Sequence, residues 1–364
     1  MASNLKQRYV ALTPEHTTVT GARSYGTASA AADARIGGEV DSESIQYQFD
    51  LLTRADMSHF GAQKSVNGKE YSSGSIDMVM QPDDFLGLCI YGIYGDNLGD
   101  QTASPPVPPN SAGYVQSGKV HTFTEASDQV LPSFTLEVGR EEKEHTYTGM
   151  CVESLSFSAS QGEYATISAS FAGKSESALA ALSNPTLFGD TVDGFHFAEG
   201  SVLFSTAGSQ SVASTRIQSI SIDFNMNLDT DAACSIGDRT YVRQPLPQMR
   251  EITGTVEFST AHDTGGTDDP AYDTALGTGG AIFDGDGSIP ALQLRFVSGS
   301  SELSIRVQKL RWEAPTSNVS GRDTETLSMS FVGLLDQTTG TMSKMILTNT
   351  GNSDAKTGER YSAL

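Results

Sequence analysis

The residues of this chain that could do chemistry are scattered rather than gathered. Six histidines (His16, His59, His121, His145, His196, His262) show no metal-binding or catalytic spacing such as HExxH or HxH. No nucleophile elbow, phosphate-binding loop or dinucleotide fingerprint is present. Three cysteines (Cys89, Cys151, Cys234) cannot build a disulfide framework, and no CxxC pair offers zinc a site. Cys89 and Cys151 read as small buried hydrophobes. Phe283-Asp-Gly-Asp-Gly-Ser and the stretch Asn227 to Asp238 place aspartates two apart near glycine, as calcium loops do. They lack the closing glutamate of that loop, so plain turns are the simpler reading, and no metal or cofactor is expected. Asn318-Val319-Ser320 is a glycosylation sequon without an export signal to give it meaning. Catalysis is therefore not expected. A carboxylate pair on a β-sandwich would need a concave site with convergent acids.

The elements around these residues are strands. Ile45, Tyr47, Phe49 and Leu51 alternate with Gln46, Gln48 and Asp50, and Ile76, Met78 and Met80 flank Asp77. Leu155, Phe157 and Ala159 alternate with Ser154, Ser156 and Ser158, and Ile167, Ala169 and Phe171 with Ser168 and Ser170. Each is a half-buried strand with one dry and one wet face. Helical spacing is confined to two short segments. One follows Pro82, with Asp83 and Asp84 in its first turn and Phe85, Leu88 and Cys89 facing inward; the other runs from Asp269 to Gly277.

The strand segments recur in order. Ile45–Leu51 resembles Ile220–Met226, and Gly74–Met80 resembles Gly254–Thr260. Leu131–Val138 resembles Ile289–Phe296, Val152–Ala159 resembles Val307–Ala314, and Thr166–Gly173 resembles Thr326–Gly333. The fourth match sets Trp312 beside Phe157, as a core residue. The expected architecture is all-β, with one short helix per repeat, in two tandem domains that arose by duplication. The first covers 1-185 with an N-terminal arm, the second 186-340, and 341-364 forms a C-terminal tail. Gly21–Gly38 reads as an extended arm and the Pro105–Pro109 segment as a stiff surface loop.

Charge narrows the classes further. The chain carries 44 acids against 23 bases, a formal charge of −21. The two halves are equally acidic: 22 acids and 11 bases in residues 1–185, 22 and 12 in residues 186–364. Such a surface repels nucleic-acid phosphate. Lysine is scarce and aspartate abundant, a balance that suits concentrated salt, where repulsion is screened. No apolar run is long enough to span a bilayer as a helix, and no signal peptide is expected.

The wet faces are uniform in kind. They hold Gln46, Gln48, Asp50, Asp77, Ser154, Ser156, Ser158, Ser168 and Ser170 in the first half. In the second they hold Ser221, Asp223, Asn225, Thr255, Glu257, Ser328 and Ser330, with Lys309, Arg311 and Glu313 the mixed charges. Two readings fit: an ordinary solvent-facing sheet, or a sheet that closes across subunits into a wide barrel with a hydrophilic, mildly negative lumen.

In its order of strand, long loop, strand, helix and paired strands, the chain resembles the tail tube (major tail) proteins of long-tailed double-stranded DNA viruses. The resemblance is carried by the stretches Ser44–Gly95 and Thr146–Lys174 and repeated from Arg216 to Leu335. It implies stacked rings forming the tube through which the genome passes into the host, with inner strands lining the channel. It implies a ring-stacking loop at Thr53–Lys69, carrying Arg54, Asp56, His59, Phe60 and Lys64. The counterpart at Asp229–Met249 carries Asp231, Asp238, Arg239 and Arg243. The family's usual ring has six units, so a duplicated chain implies a trimer with pseudo-hexameric symmetry, and a hexamer of two-domain subunits stays open. The implied partners are further copies of itself, tail terminator, tape measure and baseplate proteins, and double-stranded DNA passing without specific binding. The implied location is the virion tail, assembled in the host cytoplasm, and the acidic surface suggests a halophilic, haloarchaeal host. The alternative from another class is a cell-surface or secreted β-sandwich binding protein.

Overall fold

The computed structural model describes residues 8–15, 25–27, 35–37, 40–55, 57–58, 60–95, 98–99, 120–125, 131–177, 179–182, 193–206, 209–213, 217–259, 291–299, 301–313, 316–318 and 326–348. The second helix candidate (269–277), the proline-rich segment (105–109), the Phe283 aspartates, Asp56, His59, and the boundary near Pro185 lie outside the described residues.

The first half runs β1 (Tyr9–Pro14), β2 (Arg35–Ile36), β3 (Val40–Glu43), β4 (Gln46–Arg54), β5 (Lys64–Val79), α1 (Asp84–Tyr94), β6 (Leu98–Gly99), β7 (Val120–Thr124), β8 (Phe134–Arg140), β9 (Lys143–Ser160), β10 (Thr166–Gly173), β11 (Ser175–Glu176) and β12 (Ala180–Ala181). The second continues with β13 (Gly200–Thr206), β14 (Ser209–Ala213), β15 (Ile217–Asn225), β16 (Leu228–Asp229), β17 (Leu246–Pro247), β18 (Glu251–Ser259), β19 (Ala291–Ser298), β20 (Ser301–Val307), β21 (Leu310–Trp312), β22 (Thr316–Asn318), β23 (Thr326–Gly333) and β24 (Ser343–Thr348). The fold is all-β, as the alternation predicts.

All pairings between strands are antiparallel among the described residues. The first half contributes β4-β5-β10-β9 and the second β15-β18-β23-β21, so one half follows the other in a single sheet. The seam is β9 against β15, where Ser156 faces Asp223. Outer strands complete each half. β1 and β2 join β8 and the first part of β9, while β14-β13-β19-β20-β24-β7-β6 form a seven-stranded sheet. In that sheet β7, from the first half, pairs with β24, from the end of the chain. The C-terminal tail drawn from residue 341 thus includes a strand. Met345 and Leu347 are fully buried, which anchors it.

The helix candidate forms where expected. Asp83 caps it, its Oδ1 accepting from Leu86 N at 2.7 Å, and Asp84 lies in the first turn. The helix buries far more than the three positions named from sequence: every residue from Asp84 to Tyr94 is buried. It lies between the layers, as an all-round apolar helix must. Its Tyr91 ring meets Phe134 edge-on at 6.3 Å.

One repeat match is displaced. Trp312 pairs with Phe331 in the place that Val152 holds opposite Phe171, so its partner is Val152 rather than Phe157. The burial stands: Trp312 is 9% exposed and packs edge-on against Phe331 at 5.5 Å. The slip is five residues, and Trp312 still lies on the dry face because the register shift of β9 beside Phe171 adds one more; alternation alone tolerates any slip that keeps a residue on its face.

A buried carboxylate ties down the N-terminal strand. Glu15 accepts hydrogen bonds from Gly26 N (2.7 Å), Gly149 N (2.8 Å), Ser133 Oγ (2.8 Å) and Thr135 Oγ1 (3.2 Å). Burial pushes its pKa up, against the pull of those donors. A carboxyl that holds its proton more tightly folded than unfolded weighs against stability once ionised, and that penalty is relieved as pH falls through its folded pKa. Replacing it leaves buried donors unanswered, so Glu15→Ala is expected to lose about 2 kcal/mol in chemical denaturation at neutral pH. Unchanged stability would show that water satisfies those donors equally well.

Candidate tube face and stacking arm

The polar residues named from alternation meet on one face of the main sheet, because directly opposed residues in an antiparallel ladder point the same way. One row reads Ser42, Asp77, Ser168, Ser156, Asp223 and Thr253 across six strands. Hydrogen bonds run along it. Ser42 Oγ and Ser168 Oγ donate to the two oxygens of Asp77 at 2.7 and 2.6 Å, and Ser156 Oγ donates to Asp223. The next row holds Ser75, Ser170, Ser154, Asn225 and Glu251. On the other side come Thr166, Ser158, Ser221, Thr255 and Ser330, then Ser160, Ser219, Glu257 and Ser328. Ser219 Oγ donates to Glu257 at 2.8 Å.

The flanks continue the same face. Gln46 opposes Ser73 and Gln48 opposes Tyr71, with Gln48 Nε2 donating to Ser73 Oγ at 3.1 Å. Asp50 sits at the register shift between Phe49 and Leu51. At the far edge Arg311 opposes Val332, Lys309 O accepts from Leu334 N, and Glu313 N donates to Ser330 O. The reverse face is dry: Ile76, Phe157, Ile167, Phe171, Ile222, Phe224, Val256 and Phe331 are at most 1% exposed. Ser42, Ser75, Ser160, Thr166, Ser219, Glu251 and Thr253 belong to this surface and escaped the sequence reading. The same alternation, carried two or four residues further along each strand, reaches them.

At one end of this sheet β4 and β5 run on past their neighbours as a two-stranded arm. Every residue of β4 is exposed, so the alternation that predicts a dry face holds only for Ile45; Tyr47, Phe49 and Leu51 stand open because β4 runs past the layer that would cover them. Its large apolar side chains stand in the open: Leu52 is 62% exposed, and Met57 and Phe60 at the tip are wholly so. A lone hairpin is marginal in water, so such an arm needs a partner to settle against. Arg54 and Lys64 face each other across it.

The segment Asp229–Met249 leaves β15 at the same end and packs on the base of the arm. Whatever it meets in a neighbouring ring, within the chain it supports the arm. Lys69 Nζ pairs with Asp231 at 3.0 Å and lies 5.3 and 5.6 Å from the rings of Tyr241 and Tyr71, which stack on each other. Burial works against the charge of Lys69, but the bond to Asp231 prevails and its pKa is raised. Glu70 N donates to Arg239 O at 2.8 Å, and the Arg239 guanidinium stands 3.7 Å from the Glu70 carboxylate. Arg243 Nε donates to Ala232 O, and Asp238 N to Ser235 O. Asp231 and Arg239 make these contacts from exposed positions, with side chains 96% and 57% exposed. Asp231, Asp238, Arg239 and Arg243 are exposed here, and beside them stand the apolar Ile236, Leu246 and Met249, which a search for charges passes over.

The opposite end of the sheet carries a groove of about 460 Å³, lined by Phe197, Val202, Ile217, Ile220, Leu294 and Phe296 between the two sheets. Two acids adjoin its lining residues: Glu199 precedes Gly200 in the chain, and the Glu163 carbonyl accepts from Phe197 N. None of these surfaces assembles catalytic groups. No cluster of three metal-ligating side chains occurs among the described residues, and no helix of the described residues is long and apolar enough to cross a membrane.

No curated protein matches this chain. A family model does, that of the phage tail tube proteins, over residues 9–333. That span takes in the polar face, the arm and its support. The chain belongs to the phage tail tube protein family and is a structural component of the virion tail tube.

Proposed function

We propose that copies of this chain close into rings whose stacked polar faces form the channel for double-stranded DNA. The supporting observation is the continuous small-polar and acidic surface that crosses six strands from both halves, backed by a fully dry face. A lumen mainly of serine, threonine and carboxylate, with Lys309 and Arg311 confined to its far edge, offers phosphate little to hold, so DNA slides. The shared strand order of the two halves supports duplication, and three chains then supply six units to a pseudo-hexameric ring. Rings stack head to tail. The arm of one copy reaches the opposite end of the copy in the next ring, where the groove lies. Its Arg54 and Lys64 face the acids that adjoin the groove. Head-to-tail contacts of this kind propagate into open stacks.

The tube meets tail terminator, tape measure and baseplate proteins at its ends and takes its place in the virion tail after assembly in the host cytoplasm. The Lys-poor, Asp-rich surface fits a haloarchaeal host. Family membership does not favour the alternative of a surface or secreted binding protein. Negative-stain electron microscopy of the purified protein, in high and low salt, tests the reading. Hollow rings or tubes are expected in high salt, and their symmetry separates trimer from hexamer. Compact monomers at every salt and protein concentration would overturn it. The lumen assignment has its own check. The triple variant Asp77→Lys, Asp223→Lys, Glu257→Lys is expected to form tubes that retain short duplex DNA in low salt, where wild-type tubes retain none. Equal retention would place these residues away from the channel.

A further inference from the structure

We infer that the two open edges of the main sheet pair with each other between copies, in a register already displayed by the internal β9–β15 seam. The inference deepens the ring reading and rests on it. Among the described residues β4 pairs only with β5, and β21 and β22 only with β23. Open edges of this length recruit another strand unless something covers them. What covers these can be read from the chain, because the two halves superimpose strand by strand in their registers.

Gly74 opposes Phe171, and Gly254 opposes Phe331. Phe171 opposes Val152, and Phe331 opposes Trp312. Ser168 opposes Ser156, and Ser328 opposes Thr316. Gln46 opposes Ser73, and Asp223 opposes Thr253. Even the irregularities correspond: β9 shifts register against β10 next to Phe171, and β21 and β22 meet β23 in registers one residue apart. An independent contact agrees. A Cβ on Gly74 would lie 2.5 Å from Ser44 O, and one on Gly254 would lie 2.4 Å from Ser221 O, so Ser44 stands where Ser221 stands.

These correspondences make Gln46 the counterpart of Asp223, and Thr316 the counterpart of Ser156. Within the chain Ser156 opposes Asp223, and Ser158 opposes Ser221. Carried to the open edges, the same seam sets Thr316 of one copy opposite Gln46 of the next, and Asn318 opposite Ser44. Each junction around the ring, internal or between copies, is then the same antiparallel pairing. The polar face continues across it without a step.

Cysteine pairs test the register in the full-length chain with Cys234→Ser, since Cys89 and Cys151 are buried. Directly opposed residues lie about 4.5–5.5 Å apart at Cα, within disulfide range. Gln46→Cys with Thr316→Cys, and separately Ser44→Cys with Asn318→Cys, should link copies on mild oxidation. The control Gln48→Cys with Thr316→Cys, on the same face but displaced by two, should link at least about tenfold less. Denaturing, non-reducing gels read the result, and the largest covalent species gives the ring number. Rings by microscopy with no preference for the designed pairs would overturn the register and leave the ring reading standing. Absence of both rings and cross-links would overturn the two together.

Discussion

Met57→Ser with Phe60→Ser is expected to abolish tubes at protein concentrations where the wild-type chain is fully assembled, while each chain folds as before. Both side chains are wholly exposed at the arm tip, so in the isolated chain they contribute nothing to the core. Seated against a neighbouring ring, each would bury an apolar side chain for about 1.5–3 kcal/mol. Losing both raises the concentration needed for assembly by roughly 10²–10⁴-fold. Every chain in a ring makes the contact, so the loss is multiplied around the circumference. Sedimentation of assembled against free protein measures the shift, and circular dichroism confirms the fold. Assembly at the wild-type concentration would mean that the arm does not bridge rings.

Gly254→Val should be the most damaging single change within the chain. Gly254 sits in the middle of β18, between β15 and β23. A Cβ there would lie 2.4 Å from Phe331 Cζ and 2.4 Å from Ser221 O. The first contact could be relieved by turning a ring; the second is to backbone hydrogen-bonded in the ladder. The neighbouring strand must move, at an expected loss of about 3 kcal/mol in denaturant unfolding. Gly61→Ala, with no atom within 4 Å of its would-be Cβ, should leave stability unchanged and serves as the control. A neutral Gly254→Val would show that β15 and β18 part without penalty, which their continuous register argues against.

The glycine also explains one kind of legibility. The sequence match of Gly74–Met80 with Gly254–Thr260 survives in the registers, because both glycines face a phenylalanine across the ladder. The match that carried Trp312 slipped, because its strand is interrupted between β20 and β21 and its residues alternate without a steric marker to pin them. Register is specified where a close approach forbids alternatives, and loosely where only polarity speaks.

By itself the sequence determined the all-β class, the capped helix after Asp83, the acidity of both halves, and the dry and wet faces of the strands that pack in the sheets, though not of β4, whose alternating apolar residues stand exposed. All of these follow from local rules: period-two alternation, capping chemistry and charge count. Tertiary structure alone decided which wet faces share a surface, since Asp77 and Asp223 join one row only through the pairing of β5, β10, β9 and β15. It decided that Asp229–Met249 props the arm, through Lys69 stacked on Tyr71 and Tyr241 across distant stretches of chain. It decided that β7 crosses to the seven-stranded sheet and that β24 closes beside it. The reason is the same in each case. Alternation says which way a side chain points on its own strand. Which strand lies alongside is set by long-range hydrogen-bonded pairing and the burial it permits, and no local period encodes that.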